Sequence, residues 1–241
     1  MRDSAVAGEP SGGPGATSAR RARRGHVRRR LSVDERRDEL IDAALQLFSD
    51  RSPEDISIDD VAAAAGASRA LVYHYFGGKH ELYVAALRSA AKRLSVLLEP
   101  PTEGRPLDRL RLSLSRYFDF VEDHAAGFIA LLRGGPVDRS GEVGEIVDGM
   151  RQLLLGRIVH VLGVEDPGPV LRITLRSWIA LVETAGVDWL EHRDLDRPQL
   201  EKLLVDQHVV LLHVAGQHDP QIAALFERLT REELDSRDEP A

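Results

Sequence analysis

Apolar residues in the N-terminal third of the chain recur every three or four positions, which is the spacing of one face of an amphipathic helix. The first such run follows Ser32, and Glu35 stands three residues later, as in a capping box at a helix start. We therefore predict a first helix over about residues 33–50. Its apolar face consists of Leu40, Ile41, Ala44, Leu45 and Phe48.

Two shorter helical runs follow, and a glycine separates them. Ser57 is placed to cap a helix of about two turns, which Gly66 ends. Ser68 then caps a third helix, whose apolar face holds Val72 and Phe76. A helix, a glycine turn and a second helix at this spacing predict a helix-turn-helix, in which the second helix enters the major groove of DNA.

The third helix carries four aromatic-type side chains in a row, from Tyr73 to Phe76, in a chain with only 5% aromatic residues. Only positions three or four apart share a helix face, so Val72 and Phe76 in the core leave the opposite face free. Arg69, Tyr73 and His74 lie on or beside that free face. Arginine can pair with guanine, and phenol or imidazole groups can reach phosphates or base edges. The alternative is that these aromatic residues only cover the end of a hydrophobic bundle.

Beyond residue 79 the periodicity stays helical and no convincing strand alternation occurs, so we predict an all-α fold. It consists of an N-terminal three-helix helix-turn-helix head and a C-terminal helical bundle body, with about nine to ten helices in total. A fourth helix over about 79–98 connects the two parts. Loops are marked by proline and glycine clusters such as Pro100-Pro101.

Two apolar stripes near the C-terminus predict a pair of adjacent helices. The first stripe includes small residues that admit a close neighbour, and the second follows Pro198. The pair forms either the core of one protomer or a dimer interface of four helices, two from each subunit. The interface candidates are Val182, Ala185, Gly186, Trp189, Leu204, His208 and Leu211.

Aromatic and flexible side chains in the body could line an apolar cavity among helices five to eight. Core packing is the alternative for each of them. The candidates are Phe118, Phe120, Phe128, Met150 and Trp178, with Arg172 or Arg176 as polar groups.

The net charge of −7 would argue against a nucleic-acid partner, but the charge is unevenly distributed. Residues 1–98 carry 16 Lys or Arg against 13 Asp or Glu, whereas the other 143 residues carry 16 against 26. Seven arginines and no acid lie between Arg20 and Arg30. We predict a disordered arm that either contacts DNA or is only solvated.

Several classes of protein are disfavoured by what the sequence lacks. There is no cysteine, no apolar run of membrane-spanning length, and no apolar segment after the N-terminal arginines that would form a secretory signal. Catalytic motifs are missing, and His208, His213 and His218 recur every five residues, which does not gather metal ligands on one helix face. We predict a cytoplasmic protein that is not an enzyme and has no cofactor or metal.

The stretch SIDDVAAAAGASRALVYHYFGGKHELYVAAL, Ser57 to Leu87, resembles the DNA-binding segment of the tetracycline-repressor (TetR) family. The resemblance covers residues 33–87. Ala70 stands where the family often has Gly, and Gly78 stands where Ser or Asn usually caps helix four, which predicts a slightly frayed helix start. The family motif is met by Ser57, Val61-Ala62, Ala65-Gly66-Ala67-Ser68, Val72-Tyr73, Phe76, Lys79 and Leu82.

The resemblance implies roles for individual residues. It makes Ser57, Ser68, Tyr73, Tyr75 and Lys79 candidates for phosphate contacts. It makes Arg69, Ala70, Leu71 and His74 candidates for base contacts. It also implies coupling of effector binding to the head through helix four, and it favours the dimer-interface interpretation of the two stripes.

We therefore predict a homodimeric, sequence-specific DNA-binding regulator. It represses at a palindromic operator of double-stranded DNA, is released by an unknown and largely apolar small molecule, and joins the nucleoid when bound. An activator of the same fold, an all-α ligand carrier or enzyme with a structural head, and a nonspecific DNA binder driven by the arm are the alternatives. The predicted parts are a disordered arm (1–31), a helix-turn-helix domain (32–80), an effector-binding and dimerisation domain (81–235) and a flexible tail (236–241).

Overall fold

A computed structural model describes residues 32–133 and 141–238 of the 241-residue chain. Those residues form ten α-helices and one short 3-10 helix and contain no strand, so the predicted all-α fold is confirmed. The 3-10 helix is Pro53–Asp55. The α-helices are α1 (Val33–Asp50), α2 (Ile58–Ala64), α3 (Arg69–Phe76), α4 (Lys79–Leu97), α5 (Pro106–Asp123), α6 (Ala125–Arg133), α7 (Glu142–Val161), α8 (Pro169–His192), α9 (Arg197–Gly216) and α10 (Pro220–Asp238).

The start of α1 shows how local sequence sets a helix boundary. The Ser32 hydroxyl accepts a hydrogen bond from the Glu35 amide at 3.1 Å, and the Glu35 carboxylate accepts one from the Ser32 amide at 2.7 Å. This reciprocal pair satisfies amide groups that have no partner inside the helix. The predicted first helix is therefore confirmed at both ends, since α1 ends at Asp50.

We call α1 to α3 and the first half of α4 the head, and the remaining helices the body. The core of the head joins the apolar faces of these four helices, with Leu40, Ala44 and Val72 fully buried. One member of this core comes from the body, because Val143 at the start of α7 is 1% exposed and packs with the head residues. The head core is therefore completed by a residue of the body.

Close backbone packing also joins the two parts. α6 crosses α1 at Gly127, where a Cβ atom would lie 2.7 Å from the carbonyl oxygen of Phe48. Only a glycine admits this approach. Between α4 and α7, Arg88 donates to Glu142 Oε1 at 2.7 Å, and Arg157 donates to the Ser95 carbonyl at 2.5 Å.

The body packs α5, α7, α8, α9 and α10 around a core that includes Phe118, Leu175 and Leu204. α8 and α9 form the predicted helix pair, and the Trp189 indole closes their connection by donating to the Leu195 carbonyl at 2.8 Å. Arg197 at the start of α9 holds this pair against α5 through two carboxylates at 2.8 Å. They belong to Asp119 and Glu122.

Candidate functional site

The turn between α2 and α3 has the geometry of a helix-turn-helix. Gly66 adopts a left-handed φ of 55°, and the Ala67 amide donates back to the Ala62 carbonyl at 2.8 Å. Ser68 then caps α3, because its hydroxyl accepts from the Leu71 amide at 3.2 Å. The chain reverses within a few residues, as the glycine predicts.

The third helix divides into a buried and an exposed face as the sequence predicts. Val72 is fully buried and Phe76 is 7% exposed, whereas Tyr73 is 42% exposed. The other candidates differ in exposure. Arg69, Ala70 and His74 are exposed, and Leu71 and Tyr75 are half-buried.

Tyr75 belongs partly to the head core, where it packs beside Phe76 with ring centroids 6.3 Å apart. Its ring also meets His74 edge-on at 5.5 Å. Only part of the aromatic run is thus free for DNA. Phe76 belongs to the head core and Tyr75 packs against that core, whereas Tyr73 and His74 are exposed.

Arg69 is held by two neighbours on the exposed surface. Its Nη1 lies 3.1 Å from Asp59 Oδ2, and its Nη2 donates to the Tyr73 hydroxyl at 3.4 Å. The Tyr73 hydroxyl and the Asp59 carboxylate raise the pKa of Arg69 above its usual value. The guanidinium is therefore charged, exposed and positioned near the N-terminus of α3.

The remaining phosphate-contact candidates flank this face. The Ser57 hydroxyl caps α2 by accepting from the Asp60 amide at 3.2 Å, and it donates to the Asp60 carboxylate at 2.6 Å, which lowers the pKa of that carboxyl. Lys79 is exposed at the start of α4 and donates to the Glu54 carbonyl at 2.9 Å. Gly78, the N-cap of α4, provides no side-chain hydrogen bond. The Arg20–Arg30 arm lies outside the described residues.

The body encloses a cavity of about 560 Å³ that is lined mainly by aliphatic and aromatic side chains of α4 to α10. This volume lies in the range of small-molecule sites. Four predicted lining residues are in its wall. They are Phe120, Phe128, Met150 and Trp178.

Two predicted effector residues are elsewhere. Phe118 is fully buried and packs edge-on against Trp189 at 5.7 Å, so it belongs to the core behind the cavity. Arg176 is exposed on the outer face of α8, as is Arg172. Helical periodicity places Arg176 opposite the cavity-lining Trp178, and neither arginine lines the cavity. The polar groups that do line the cavity include Arg109 and Tyr117 of α5, which the sequence analysis did not single out.

The predicted dimer stripe is wrong in its placement, because most of it lies inside the protomer. Trp178 of α8 donates to the Leu204 carbonyl at 3.1 Å, and Gly186 faces the Phe128 ring, which a Cβ atom would meet at 3.4 Å. The other buried members are Val182, Trp189 and His208. Ala185 and Leu211 are half-buried and pack against the body core.

Two residues of this stripe belong to the cavity. Val182 and His208 line it, and the His208 ring lies 4.5 Å from Trp178. Burial lowers the pKa of His208 to about 4, so its imidazole is neutral at pH 7. The alternative that the helix pair forms core is therefore correct for its inward face.

The outer face of the same helix pair carries exposed apolar residues, and all of them except Leu203 lie outside the two apolar stripes that the sequence predicts. Exposed fractions range from 44% to 58%, which is high for large aliphatic side chains. Those on α9 recur at helical spacing between polar residues, and this spacing could have indicated the exposed apolar face from the sequence. The residues are Ile173 on α8 and Leu203, Val210 and Val214 on α9.

Neither a metal-binding cluster nor a membrane-spanning helix was found in the part of the chain that the structure describes. No group of three or more His, Asp or Glu side chains there could hold a metal ion. None of the helices there is both long and apolar enough to cross a bilayer.

Two sequence profiles match the chain in the same order as the head and body. The first, described as "Bacterial regulatory proteins, tetR family", matches residues 40–86. The second, described as "Tetracyclin repressor-like, C-terminal domain", matches residues 106–211.

Individual proteins extend this similarity. An uncharacterized HTH-type transcriptional regulator of Mycobacterium tuberculosis is 33% identical over 163 residues, which is 65% of this chain and 79% of that protein. The HTH-type transcriptional activator FasR of Mycolicibacterium smegmatis is 36% identical over 103 residues. That match covers 41% of this chain and 46% of FasR, so it spans less than half of the activator.

A solved structure shows the similarity in three dimensions. The crystal structure of a tetR-family transcriptional regulator from Streptomyces coelicolor superimposes with a TM-score of 0.81 at 43% sequence identity. The superposition covers 84% of this chain and 91% of the other.

Proposed function

The chain belongs to the tetracycline-repressor family of DNA-binding transcriptional regulators, and from this premise we propose that it is a homodimeric repressor controlled by a small molecule. The ligand enters the body cavity and lowers the affinity of the head for a palindromic operator. We further propose that the protein has no catalytic role and acts in the cytoplasm, at the nucleoid when bound to its operator.

The observation that carries the proposal is the exposed polar face of α3, which follows a tight glycine turn and projects from a packed core. A helix presented in this way fits the major groove. We assign base contacts to Arg69, Ala70, Leu71 and His74. Phosphate contacts are assigned to Ser57, Ser68, Tyr73, Tyr75 and Lys79. Tyr75 and Leu71 are half-buried and contribute less than the exposed residues.

A homodimer provides two heads for the two halves of a palindrome. We propose that the outer face of α8 and α9 forms the interface, in place of the buried stripe. Ile173, Val210 and Val214 offer apolar side chains there, and pairing with a second copy would remove them from water. The resulting contact contains two helices from each protomer.

The cavity is well placed to influence the head. Its wall includes Leu87, Ala90 and Leu94 of α4 and Phe128 and Leu131 of α6. Both helices pack directly against α1 of the head. A ligand that shifts α4 or α6 therefore moves the head, and the spacing of the two α3 helices in the dimer changes. A changed spacing weakens binding to an operator with fixed half-sites.

Activation is a second candidate, because FasR, a relative in part of the chain, is named as an activator. Both modes use the same operator binding and differ in where the operator lies relative to the promoter. Expression from the target promoter with and without the protein distinguishes them, since a repressor lowers the signal and an activator raises it.

The proposed DNA binding is tested by selecting bound fragments from the source genome and measuring affinity for the recovered site. Tyr73→Ala and Lys79→Ala should each weaken operator binding by about tenfold, with little change in melting temperature, because both side chains are exposed. His160→Ala, an exposed change in the body, is the control. Unchanged affinity in both head variants contradicts the assignment, and equal affinity for random DNA contradicts a sequence-specific regulator.

A further inference from the structure

Charged side chains in the cavity wall differ in whether they have partners. Five of them line the cavity, and two are paired across helices. Arg157 donates to Glu99 Oε2 at 2.6 Å, and the Arg151 guanidinium donates to Glu183 Oε2 at 2.7 Å. The five are Arg109, Arg157, Glu183, Glu232 and Glu233.

Both carboxylates that α10 contributes to the cavity also have cationic neighbours. Glu233 Oε1 lies 3.6 Å from Arg105 Nη1 and accepts no hydrogen bond, whereas its Oε2 accepts one from the Leu107 amide at 3.4 Å. Glu232 lies 3.9 Å from Arg228. The negative charges near the start of α5 are therefore matched by positive charges from outside the cavity wall.

Arg109 differs from the other four. Among the side chains that the structure describes, its guanidinium has no hydrogen-bond or ion-pair partner, and the Nε atom is buried. A buried Nε–H group without an acceptor is unfavourable, and the oxygen of an anion that enters the cavity would satisfy it. Because the nearby carboxylates are matched, Arg109 leaves this end of the cavity with uncompensated positive charge.

The wall residues that α5 contributes beyond Arg109 are mainly apolar and extend along the helix to Phe120. From Arg109 to Phe120 the helix advances about 16 Å at its usual rise, roughly the length of an extended chain of a dozen carbons. Leu110, Leu114 and Tyr117 line the interval. Tyr117 is 7% exposed and its hydroxyl has no hydrogen-bond partner. Burial raises the pKa of this phenol above its usual value, so it stays neutral and adds no charge to the wall.

We propose that the cavity binds an elongated anionic amphiphile, such as a medium- to long-chain carboxylate, whose head group pairs with Arg109 and whose apolar chain runs along α5 towards Phe120. The inference rests on the proposed effector function of the cavity and adds the chemical class of the ligand. A cationic ligand would oppose Arg109, and a neutral hydrocarbon would leave its guanidinium unsatisfied.

The test uses the full chain with two ligands of equal length, dodecanoate and 1-dodecanol, below the concentration at which either aggregates. Trp178 lines the cavity, so its fluorescence reports binding, and Trp178→Phe identifies its share of the signal against Trp189. We expect dodecanoate to bind at least tenfold more tightly than dodecanol. Arg109→Gln should remove this preference by weakening dodecanoate about 30-fold, and Arg109→Lys should restore part of it.

Arg231→Gln is the matched control, because it removes the same charge from an exposed position of α10 outside the cavity wall, and it should alter dodecanoate affinity less than threefold. Arg109→Gln should not lower the melting temperature, since the arginine has no partner to lose. A lower melting temperature with unchanged ligand preference would assign Arg109 a structural role and overturn the inference. Equal binding of both ligands, or of neither, would also overturn it.

A separate measurement distinguishes failure of the inference from failure of the proposed function. Operator release is followed with both ligands and with a panel of neutral apolar compounds. If only neutral compounds release the operator, the inferred anionic ligand class is rejected and the proposed effector function of the cavity stands. If dodecanoate occupies the cavity through Arg109 but no compound changes operator affinity, the ligand class stands and the proposed regulation fails.

Discussion

Arg69, which we propose contacts a base, forms an ion pair that would compete with DNA. Its contact with Asp59 joins an acid at the start of α2 to the N-terminal turn of α3, and both side chains are more than 60% exposed. Such an exposed pair contributes little to stability. On DNA, however, Asp59 would both compete for the guanidinium and repel nearby phosphates.

We therefore expect Asp59→Asn to strengthen operator binding by about threefold to tenfold. The melting temperature should change little, because the pair is exposed. Titrations of labelled operator at several salt concentrations measure the effect. Asp55→Asn, which removes an exposed acid of the 3-10 helix that no contact joins to Arg69, is the control. Weaker binding by Asp59→Asn would show that Asp59 positions Arg69 for its contact with a base.

His208 makes the stability of the body sensitive to acid. Burial lowers its pKa from 6.5 to about 4, so between these values the unfolded chain binds a proton that the folded chain does not. The unfolding free energy therefore falls as the pH decreases, and the His208 contribution between pH 7 and pH 5 is about 2 kcal/mol.

Replacing the imidazole with an apolar group removes this contribution. His208→Leu should lose less stability than the wild type between pH 7 and pH 5, by about 2 kcal/mol in urea unfolding. His160→Leu changes an exposed histidine and should follow the wild type. Parallel curves for His208→Leu and the wild type would show that His208 becomes protonated without unfolding.

At the scale of elements, contacts close in sequence were predictable and contacts distant in sequence were not. The caps at Ser32, Ser57 and Ser68 and the split faces of α3 follow from residues three or four apart. The stripe on α8 was also visible, but periodicity shows which residues share a face and not what covers that face. Its cover is Phe118, Phe128 and α9, which only the fold brings together.

The crossing of α1 and α6 is a contact that no local pattern indicates, and it gives a prediction for the link between cavity and head. Gly127→Ala places a methyl group 2.7 Å from the Phe48 carbonyl oxygen, so one helix must move. We expect a loss of about 1–3 kcal/mol in unfolding free energy and a weaker effect of ligand on operator affinity.

Gly149→Ala in α7 is the matched control, since no atom lies within 4 Å of its added methyl group. Alanine is favoured over glycine within helices, so this control should be more stable than the wild type by about 0.5–1 kcal/mol. If Gly127→Ala stabilised the protein as much as Gly149→Ala in urea unfolding, α6 and α1 would be able to move apart without a loss of unfolding free energy.

At the scale of the whole molecule, we propose that the outer face of α8 and α9 forms the dimer contact. Val210→Glu introduces a charge at a position that is 58% exposed in the protomer and that we place at the centre of the dimer contact. We expect monomers in light scattering and loss of operator binding, with the protomer still folded. Val96→Glu, at a site 71% exposed on α4, is the matched control and should remain dimeric. A dimeric Val210→Glu variant would show that the interface lies elsewhere.

A charged residue in place of Trp189, in contrast, should unfold the body, because Trp189 is buried inside the protomer.

Contact between the arginine-rich arm and DNA, in the complex as a whole, remains a prediction. Each phosphate that the arm neutralises would steepen the fall of log affinity with log salt by about 0.9. Deleting residues 1–30 should therefore flatten the salt dependence and lower affinity for specific and nonspecific DNA together. An unchanged slope and affinity would mean that the arm does not contact DNA.

Because of Val143, the head core is completed only late in the synthesis of the chain. This side chain completes the core around α1 and α4, yet it follows the last helix of that core in the chain by more than 40 residues. During translation the DNA-reading part therefore emerges with a gap in its interior, which is filled only when α7 leaves the ribosome. A nascent or truncated chain that ends before α7 should bind operator poorly, so an incomplete regulator does not occupy the promoter.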